Sequence, residues 1–159
     1  YMGIFKDCGC GCDGEVARQK FIISLFAACI FYIVMNQETY KASGKLLGKW
    51  VMNGDCPSAN GFLLHMFVFL AITFGSMMIR NRGDVAMKMK ISLMSAAIFY
   101  IIANPKTFIF VNRLVGGWVS SASGCPTPLG LLLHSAVFLG IIYLTMNGKE
   151  IKNSDTITN

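Results

Sequence analysis

Four stretches without a charged residue divide this chain, and each contains an apolar segment. The apolar segments cover residues 21–36, 59–79, 91–103 and 128–147. An α-helix rises about 1.5 Å per residue and needs about 20 residues to cross a bilayer, a length that the second and fourth segments reach. The pattern therefore predicts an all-α membrane protein with four transmembrane helices.

The first and third segments are shorter than a full span. Lys20 on one, and Lys88 and Lys90 on the other, can extend their ammonium groups to the membrane surface while their stems stay in apolar surroundings, which adds a helical turn to each. The pair Asn104-Pro105 ends the third helix, because proline disfavours helical geometry in the residue before it.

These segments divide the chain into five parts. They are a Cys- and Gly-rich head (1–20), a first hairpin (21–79), a basic linker (80–90), a second hairpin (91–147) and a polar tail (148–159) that we expect to lie outside the last helix.

Composition agrees with this pattern. Hydrophobic residues make up 54% of the 159 residues, and charged residues 14%, against about 25% in a typical soluble domain. These values argue against a disordered chain and against a free-standing soluble enzyme. The net charge is +6, but the basic residues form short clusters beside the apolar segments instead of the soluble basic face that nucleic-acid binding requires. We expect no nucleic-acid partner.

The two hairpins repeat one another. An offset of 68 residues places Ile23 to Thr39 on Ile91 to Thr107 with ten identities, and one inserted residue then makes the offset 69. Roughly two dozen identities over about 58 positions indicate a tandem duplication. Because each hairpin has two spans, both copies have the same orientation, and their symmetry axis lies along the membrane normal.

Charge predicts the orientation. The head, the linker and the tail share one side of the membrane and carry nine Lys and Arg residues, whereas the two long loops on the other side carry five. The positive-inside rule therefore places both termini on the cytoplasmic side.

Each long loop holds an amphipathic stretch, Tyr40 to Val51 and Phe108 to Val119. Trp50 and Trp118 suit the headgroup level, where the indole ring is in apolar surroundings and its N–H stays in water. We expect a short helix lying on the membrane in each loop. These helices either cover the ends of the spans or dock another protein layer.

Cys56 and Cys125 occupy equivalent places on the side opposite the termini. The symmetry axis brings equivalent residues to equal depth, so a disulfide between them is one interpretation if that side is oxidising. Two free, buried thiols beside helix N-termini are the other.

His65 and His134 are the only histidines, and they hold the same place in each copy. An ionisable residue inside a membrane span raises a functional hypothesis: two facing imidazoles could relay protons or ligate a metal or haem. No carboxylate lies in the apolar segments beside them. The alternative is a neutral histidine hydrogen-bonded to a loop carbonyl or to the neighbouring helix.

The head carries Cys8, Cys10 and Cys12, three thiols within five residues. They could bind a soft metal, although the spacing lacks a zinc-finger pattern. A second interpretation is lipidation: if Met2 starts the chain and is removed, Gly3 becomes the N-terminal glycine that myristoylation needs, and juxtamembrane cysteines are palmitoylation candidates. A head that is flexible or bound to a partner is the third.

The motifs together resemble a group of small membrane proteins encoded by large DNA viruses of algae, the phycodnaviruses and their relatives. The resemblance rests on the Met-Gly start, the Cys-Gly-Cys-Gly-Cys head, Lys90 to Thr107, Gly116 to Val119 and Gly124 to His134. Members of that group carry one hairpin, so this chain resembles a fused pair. Its first copy departs at Asn36-Gln37, where the family has Asn-Pro, and at Asp55 before the cysteine. The resemblance implies a virion or inner-membrane protein, with a minor capsid component as the natural role.

Three functions follow as hypotheses. The first is a structural viral membrane protein that anchors the internal membrane to the capsid shell, with the lipid bilayer, other capsid proteins and further copies of itself as partners. The second is a viral ion or proton channel using His65 and His134, and the third is a membrane redox or haem protein using the same pair. No phosphate-binding loop, dinucleotide fingerprint, zinc-protease motif or nucleophile elbow occurs in the sequence, so we expect no enzyme and no small-molecule substrate.

Overall fold

Helices form most of the protein. The structure, a computed structural model, describes residues 12–54, 56–80 and 84–155, and the side chains of residues 17–54, 56–79 and 84–146. The helices are α1 (Cys12–Met35), α2 (Gln37–Leu47), α3 (Ala59–Arg80), α4 (Val85–Ile102), α5 (Pro105–Val115) and α6 (Pro128–Asp155). A 3-10 turn (Lys49–Val51) and two short strands, β1 (Met52–Asn53) and β2 (Cys56–Pro57), lie between α2 and α3. We refer to α1–α3 as the first hairpin and to α4–α6 as the second.

Four of these helices are long and apolar enough to cross a membrane, as the sequence pattern predicts. The apolar parts are Ala17–Met35 in α1, Ala59–Ile79 in α3, Val85–Ile102 in α4 and Pro128–Met146 in α6. Large apolar side chains on their outer faces are exposed, among them Ile33, Phe67 and Ile101. Since hydrocarbon chains are as apolar as these side chains, such faces suit contact with lipid.

The helices extend further than the sequence pattern indicates. α1 begins at Cys12, inside the predicted head, and α6 continues to Asp155, through most of the predicted polar tail. α4 begins at Val85, inside the predicted linker, where the Asp84 side chain accepts a hydrogen bond of 3.2 Å from the Ala86 N–H. Lysine, glutamate and arginine are good helix formers, so the helices do not end where their apolar faces end.

Asparagine separates each first span from the short helix that follows it. Asn36 and Asn104 have extended backbone geometry, and their side chains accept hydrogen bonds of 3.0 Å from the Glu38 and Lys106 N–H groups. Each asparagine therefore ends one helix and caps the next. The short helices α2 and α5 lie within the predicted amphipathic loops but begin three residues earlier than those stretches.

The second span of each hairpin begins below a buried valine. Val51 and Val119 are fully buried, and their carbonyls accept hydrogen bonds of 3.0 Å from the Ser58 and Thr127 N–H groups. Gly61 and Gly130 lie directly beneath these two carbonyls, so close that a Cβ at either position would collide with the carbonyl oxygen. A glycine in the first turn of α3 and α6 therefore lets the loop pack onto the helix.

The core lies at the centre of the four long helices. α1 packs most extensively against α6, and α3 against α4, so the main contacts run between the hairpins. Four fully buried phenylalanine rings meet there: Phe31 lies 4.7 Å from Phe138, and Phe69 lies 4.7 Å from Phe99. The remaining two pairs, Phe31 with Phe99 and Phe69 with Phe138, are 5.2 and 5.7 Å apart.

These contacts come in pairs related by the sequence offsets of 68 and 69. The Ser24 hydroxyl lies 3.9 Å from the Met146 sulfur, and the Ser92 hydroxyl lies 3.8 Å from the Met77 sulfur. The same relation connects the phenylalanine pairs across the core. The serine, methionine and phenylalanine positions that correspond in sequence thus make corresponding contacts.

Candidate functional site

The two histidines cap the C-terminal ends of α1 and α4, the first membrane-spanning helices of the two hairpins. His65 on α3 and His134 on α6 are 3% exposed. Nδ1 of His65 lies 2.7 Å from the Val34 carbonyl oxygen, and Nδ1 of His134 lies 2.9 Å from that of Ile102. Both carbonyls belong to the last turn of a helix, where no intrahelical donor is available. Because a carbonyl only accepts, Nδ1 carries the proton and donates it.

An aromatic ring covers each imidazole. Tyr40 of α2 stacks on His65 with ring centroids 3.7 Å apart and 6° between the planes, and Phe108 of α5 stacks on His134 at 3.8 Å and 14°. Both aromatic side chains are fully buried. Burial raises the pKa of the Tyr40 hydroxyl. The stacks hold the short helices against the second spans.

Two threonines complete the capping of the first spans. The Thr39 hydroxyl donates to the Ile33 carbonyl and the Thr107 hydroxyl to the Ile101 carbonyl, both at 2.6 Å. An unsatisfied carbonyl costs several kcal/mol in hydrocarbon. The histidine and threonine of each hairpin therefore allow a helix to end, and the chain to turn, at the edge of a bilayer.

The two histidines differ at their second nitrogen. Nε2 of His65 lies 3.0 Å from the Ser43 hydroxyl. Val111 occupies the corresponding position in α5, and Nε2 of His134 is buried without a hydrogen-bond partner among the described residues. The hairpins thus share one histidine hydrogen bond and differ in the other.

The metal and lipid sites predicted in the head fall largely outside the described residues. Gly3, Cys8 and Cys10 lie there, and of Cys12 only the backbone at the start of α1 is described. Within the described part of the chain, no group of three or more His, Cys, Asp or Glu side chains could hold a metal ion. Each histidine is instead held by the first span of its own hairpin.

A disulfide joins Cys56 to Cys125, with the two Cα atoms 5.5 Å apart. It connects the end of the β1–β2 hairpin, where Cys56 pairs with Asn53, to the loop before α6. A second link crosses between the hairpins, because the Gln37 side-chain amide donates to the Pro126 carbonyl at 3.1 Å. Of the two interpretations of this cysteine pair, the structure therefore has the disulfide.

The tryptophans lie at the outer edge of the same end of the molecule. Trp50 is 49% exposed and Trp118 45%. Their indole N–H groups donate to the Leu47 and Val115 carbonyls, each at 2.8 Å. Leu46 and Leu114, beside them, are exposed as well. An exposed apolar ring with a satisfied N–H suits the boundary between hydrocarbon and water.

We call the end formed by α2, α5, the residues 48–54 and 56–58, and the residues 116–127 the loop platform. It includes the disulfide, both tryptophans and the aromatic covers of both histidines. Its exposed cations are Lys41, Lys45, Lys49, Lys106 and Arg113.

Sequence reasoning identified the histidines but not the side chains that engage them. Thr39 and Thr107 are identical between the copies, and Gly61 and Gly130 are as well, which is the signal that could have marked them as structural. Tyr40 and Phe108 differ, but both are aromatic at corresponding positions. Distance along the chain hid the pairing, since each stacks on a histidine about 25 residues later.

Comparison with models of protein families, with characterised proteins and with solved structures finds no match to this chain.

Proposed function

We propose that this protein is a structural viral membrane protein, a minor capsid component that anchors an internal membrane to the capsid shell. The observation that carries the proposal is the loop platform, in which a disulfide between Cys56 and Cys125 joins two loops above four apolar helices. Covalent linkage and packing hold its outer surface in one arrangement. A rigid surface loses little conformational entropy on docking to a protein layer.

The interior of the bundle supports an anchor better than a channel. Phe31, Phe69, Phe99 and Phe138 fill the centre with rings in mutual contact. Both histidines use Nδ1 to cap a helix end. The proton-channel and haem hypotheses require imidazoles that are open to a proton path or to iron. These imidazoles are covered by Tyr40 and Phe108.

The proposal includes a tandem duplication with both hairpins oriented the same way. Its support is that the contacts come in pairs: Ser24 with Met146 corresponds to Ser92 with Met77, and the disulfide joins two corresponding positions. A pseudo-two-fold axis along the membrane normal would pass near the disulfide and the phenylalanine core.

Two independent features favour one orientation. Nine of the fourteen Lys and Arg residues belong to the termini and the linker between the hairpins, which favours a cytoplasmic position for that side. The disulfide belongs to the opposite side, and disulfides persist in oxidising compartments. Both termini are therefore proposed to lie on the cytoplasmic side, with the loop platform facing away from it.

The capsid role comes from the resemblance to small membrane proteins of large algal viruses. Many copies beneath an icosahedral lattice would bind by avidity even if each contact were weak. The loop platform offers two related helices, α2 and α5, to such a layer.

The test is the position of the protein in intact particles. We expect it to be abundant in purified virions, and we expect Lys106 on the loop platform to cross-link to a capsid protein. Lys90, on the opposite side, is the matched control and should not cross-link. Absence from particles, or cross-linking from Lys90 alone, would contradict the proposal.

A conductance measurement separates the channel hypothesis. We expect the reconstituted protein to leave bilayer conductance unchanged. A conductance that disappears when His65 and His134 are both replaced by Gln would contradict the anchor, and a Soret band in the purified protein would favour the haem hypothesis instead.

A further inference from the structure

A basic groove lies on one side of α2. It has a volume of about 530 Å³ and is lined by Lys41, Gly44, Lys45, Lys49, Met52 and Gly54. Lys41 and Lys45 are one helical turn apart and lie on the same side of α2, and Lys49 follows in the 3-10 turn. Three lysine residues therefore line one open groove.

Two glycines keep this groove open. A Cβ on Gly44 would meet only the Met52 side chain, at 3.6 Å, and a Cβ on Gly54 would meet nothing within 4 Å. Glu38 is the one carboxylate that the described residues place nearby, and it is bonded to Lys41 at 2.8 Å. This bond and the charge of Lys41 hold the pKa of Glu38 below its usual value. Lys45 and Lys49 lie further along the groove and extend its positive charge.

The groove lies at the level of the helix ends. α2 begins directly after α1, and its Tyr40 stacks on His65 of α3. His65 lies seven residues after Ser58, the residue that precedes α3. Seven residues correspond to about 10 Å along the helix. Exposed Trp50 adjoins Lys49. If the four apolar helices span a bilayer, the groove beside α2 lies at the depth of the lipid headgroups.

We propose that this groove binds the phosphate of an anionic phospholipid in the leaflet on the side of the loop platform. The inference rests on the proposed membrane embedding. Lysine ammonium groups bind phosphate as point charges, and basic residues near a membrane surface attract anionic lipids. The glycines leave room for the headgroup, and Met52 offers an apolar wall to the glycerol and the first methylene groups.

The second hairpin does not repeat the three lysines of this groove. Ile109, Arg113 and Gly117 stand where the first hairpin has its three lysines, and Asn112 stands in place of Gly44. The Asn112 side chain binds the loop that follows α5, because it accepts hydrogen bonds of 2.8 and 3.0 Å from the Val119 and Ser120 N–H groups. One anionic lipid per chain is therefore expected, and Trp118 provides an internal control.

The test uses each tryptophan as a reporter. Trp118→Phe leaves Trp50 beside the groove, and Trp50→Phe leaves Trp118 on the other hairpin. Each variant is reconstituted in phosphatidylcholine vesicles containing a small fraction of brominated phosphatidylglycerol or of brominated phosphatidylcholine. Trp50 should show at least about a fivefold preference for the brominated anionic lipid, and Trp118 should show little.

Charge removal completes the design. Lys45→Gln with Lys49→Gln should abolish the preference at Trp50, whereas the matched change Arg113→Gln should leave it intact. Far-ultraviolet circular dichroism checks that the exposed substitutions keep the fold. Equal quenching of Trp50 by both lipids would overturn the headgroup site.

Two further outcomes identify other ligands. If millimolar inorganic phosphate removes the preference, the groove binds soluble phosphate and the lipid assignment is wrong. If the double lysine variant loses incorporation into particles while its lipid preference is unchanged, the groove contacts protein, and the lipid assignment is again wrong. If neither brominated lipid quenches either tryptophan, the membrane embedding itself fails, which distinguishes that failure from failure of the groove.

Discussion

The Ser43 hydroxyl lies 3.0 Å from Nε2 of His65, and this contact has no counterpart in the second hairpin. In a neutral ring whose Nδ1 donates to the Val34 carbonyl, Nε2 can only accept. The Ser43 hydroxyl donates to the Thr39 carbonyl at 2.8 Å, and it shares this one proton with the nitrogen of the ring. Val111 occupies the place of Ser43 in the second hairpin, and Nε2 of His134 has no hydrogen-bond partner among the described residues.

Removing the serine hydroxyl should destabilise the first hairpin. Ser43→Ala leaves a buried nitrogen unpaired, a cost of about 1–3 kcal/mol in the free energy of unfolding. Val111→Ser supplies the missing donor to His134, and this hydrogen bond should offset most of the stability lost with the packing of the valine. The net change in the free energy of unfolding should be under about 1 kcal/mol. Unfolding in mixed detergent micelles, followed by circular dichroism, compares the two. A neutral Ser43→Ala and a costly Val111→Ser would contradict the assignment.

Replacing a histidine should be costly in proportion to the helix cap that is lost. His134→Leu leaves the Ile102 carbonyl without a donor and should lower the free energy of unfolding by about 1–3 kcal/mol. His134→Gln keeps an N–H donor while losing the stack on Phe108, so its loss should be smaller. The same order is expected at His65. If Leu and Gln variants were equally stable in the detergent assay, the cap would not be the role of these residues.

The glycines beneath the buried valines should tolerate no side chain. Gly61→Ala and Gly130→Ala place a Cβ against the Val51 and Val119 carbonyls, and overpacking of this kind costs about 1–3 kcal/mol. Gly75→Ala and Gly140→Ala are matched controls, because a Cβ there meets nothing within 4 Å. They should gain up to about 1 kcal/mol from helix propensity. Thermal unfolding of the four variants provides the comparison, and similar losses at all four would contradict it.

Reduction of the Cys56–Cys125 disulfide should destabilise the loop platform but leave the helices folded. The disulfide spans 69 residues, and closing a loop of that size stabilises a protein by about 2–4 kcal/mol. Cys56→Ser with Cys125→Ser should therefore lower the free energy of unfolding by that amount while far-ultraviolet circular dichroism stays unchanged. Reducing agent should shift wild type to the same value and leave the double variant unaffected. Sensitivity of the variant to reductant would contradict this.

The sidedness of the disulfide can be measured directly. After reduction of sealed, oriented vesicles, an impermeant maleimide added outside should label Cys125 when the loop platform faces outwards. Cys10, in the head, should stay unlabelled until the vesicles are opened. Labelling of both cysteines to the same extent would contradict the four-span arrangement.

Alkaline pH should weaken the first hairpin through Tyr40. Burial raises the pKa of its hydroxyl above the ordinary value of 10.0, so the stabilisation is fully present below that pH and is lost as the pH rises above it. Tyr40→Phe introduces the aromatic residue that the second hairpin has at Phe108. It should cost less than about 1 kcal/mol at neutral pH, since it removes one weak hydroxyl contact to the Met35 sulfur. It should also flatten the alkaline decline, which a pH series of unfolding curves measures.

The sequence predicts the long helices well, because their length and apolarity are properties of contiguous residues. It does not predict where they end. The head and the tail extend α1 and α6 as helix because polar residues with good helix propensity continue a helix that is already formed. Asn104-Pro105 is an exception, since a local rule for proline predicts that boundary.

The site required contacts between distant positions. The offset between the copies predicts that Cys56 and Cys125 lie at equal depth, and the structure joins them. The offset does not reveal that each histidine caps the first span of its own hairpin, more than 30 residues earlier, or that Nε2 of His134 has no partner among the described residues. These relations depend on how α2 and α5 fold back over the helix ends, which no local pattern encodes.

The pairing of α1 with α6 has a consequence for biosynthesis. The principal neighbour of α1 is α6, which leaves the ribosome after the other five described helices. At about 5–20 residues per second, α1 waits roughly 5–20 s in the membrane before α6 arrives. During that interval the face of α1 that bears Ser24, Ala28 and Phe31 is not yet covered by α6, so the bundle stays incomplete until the second hairpin has been made.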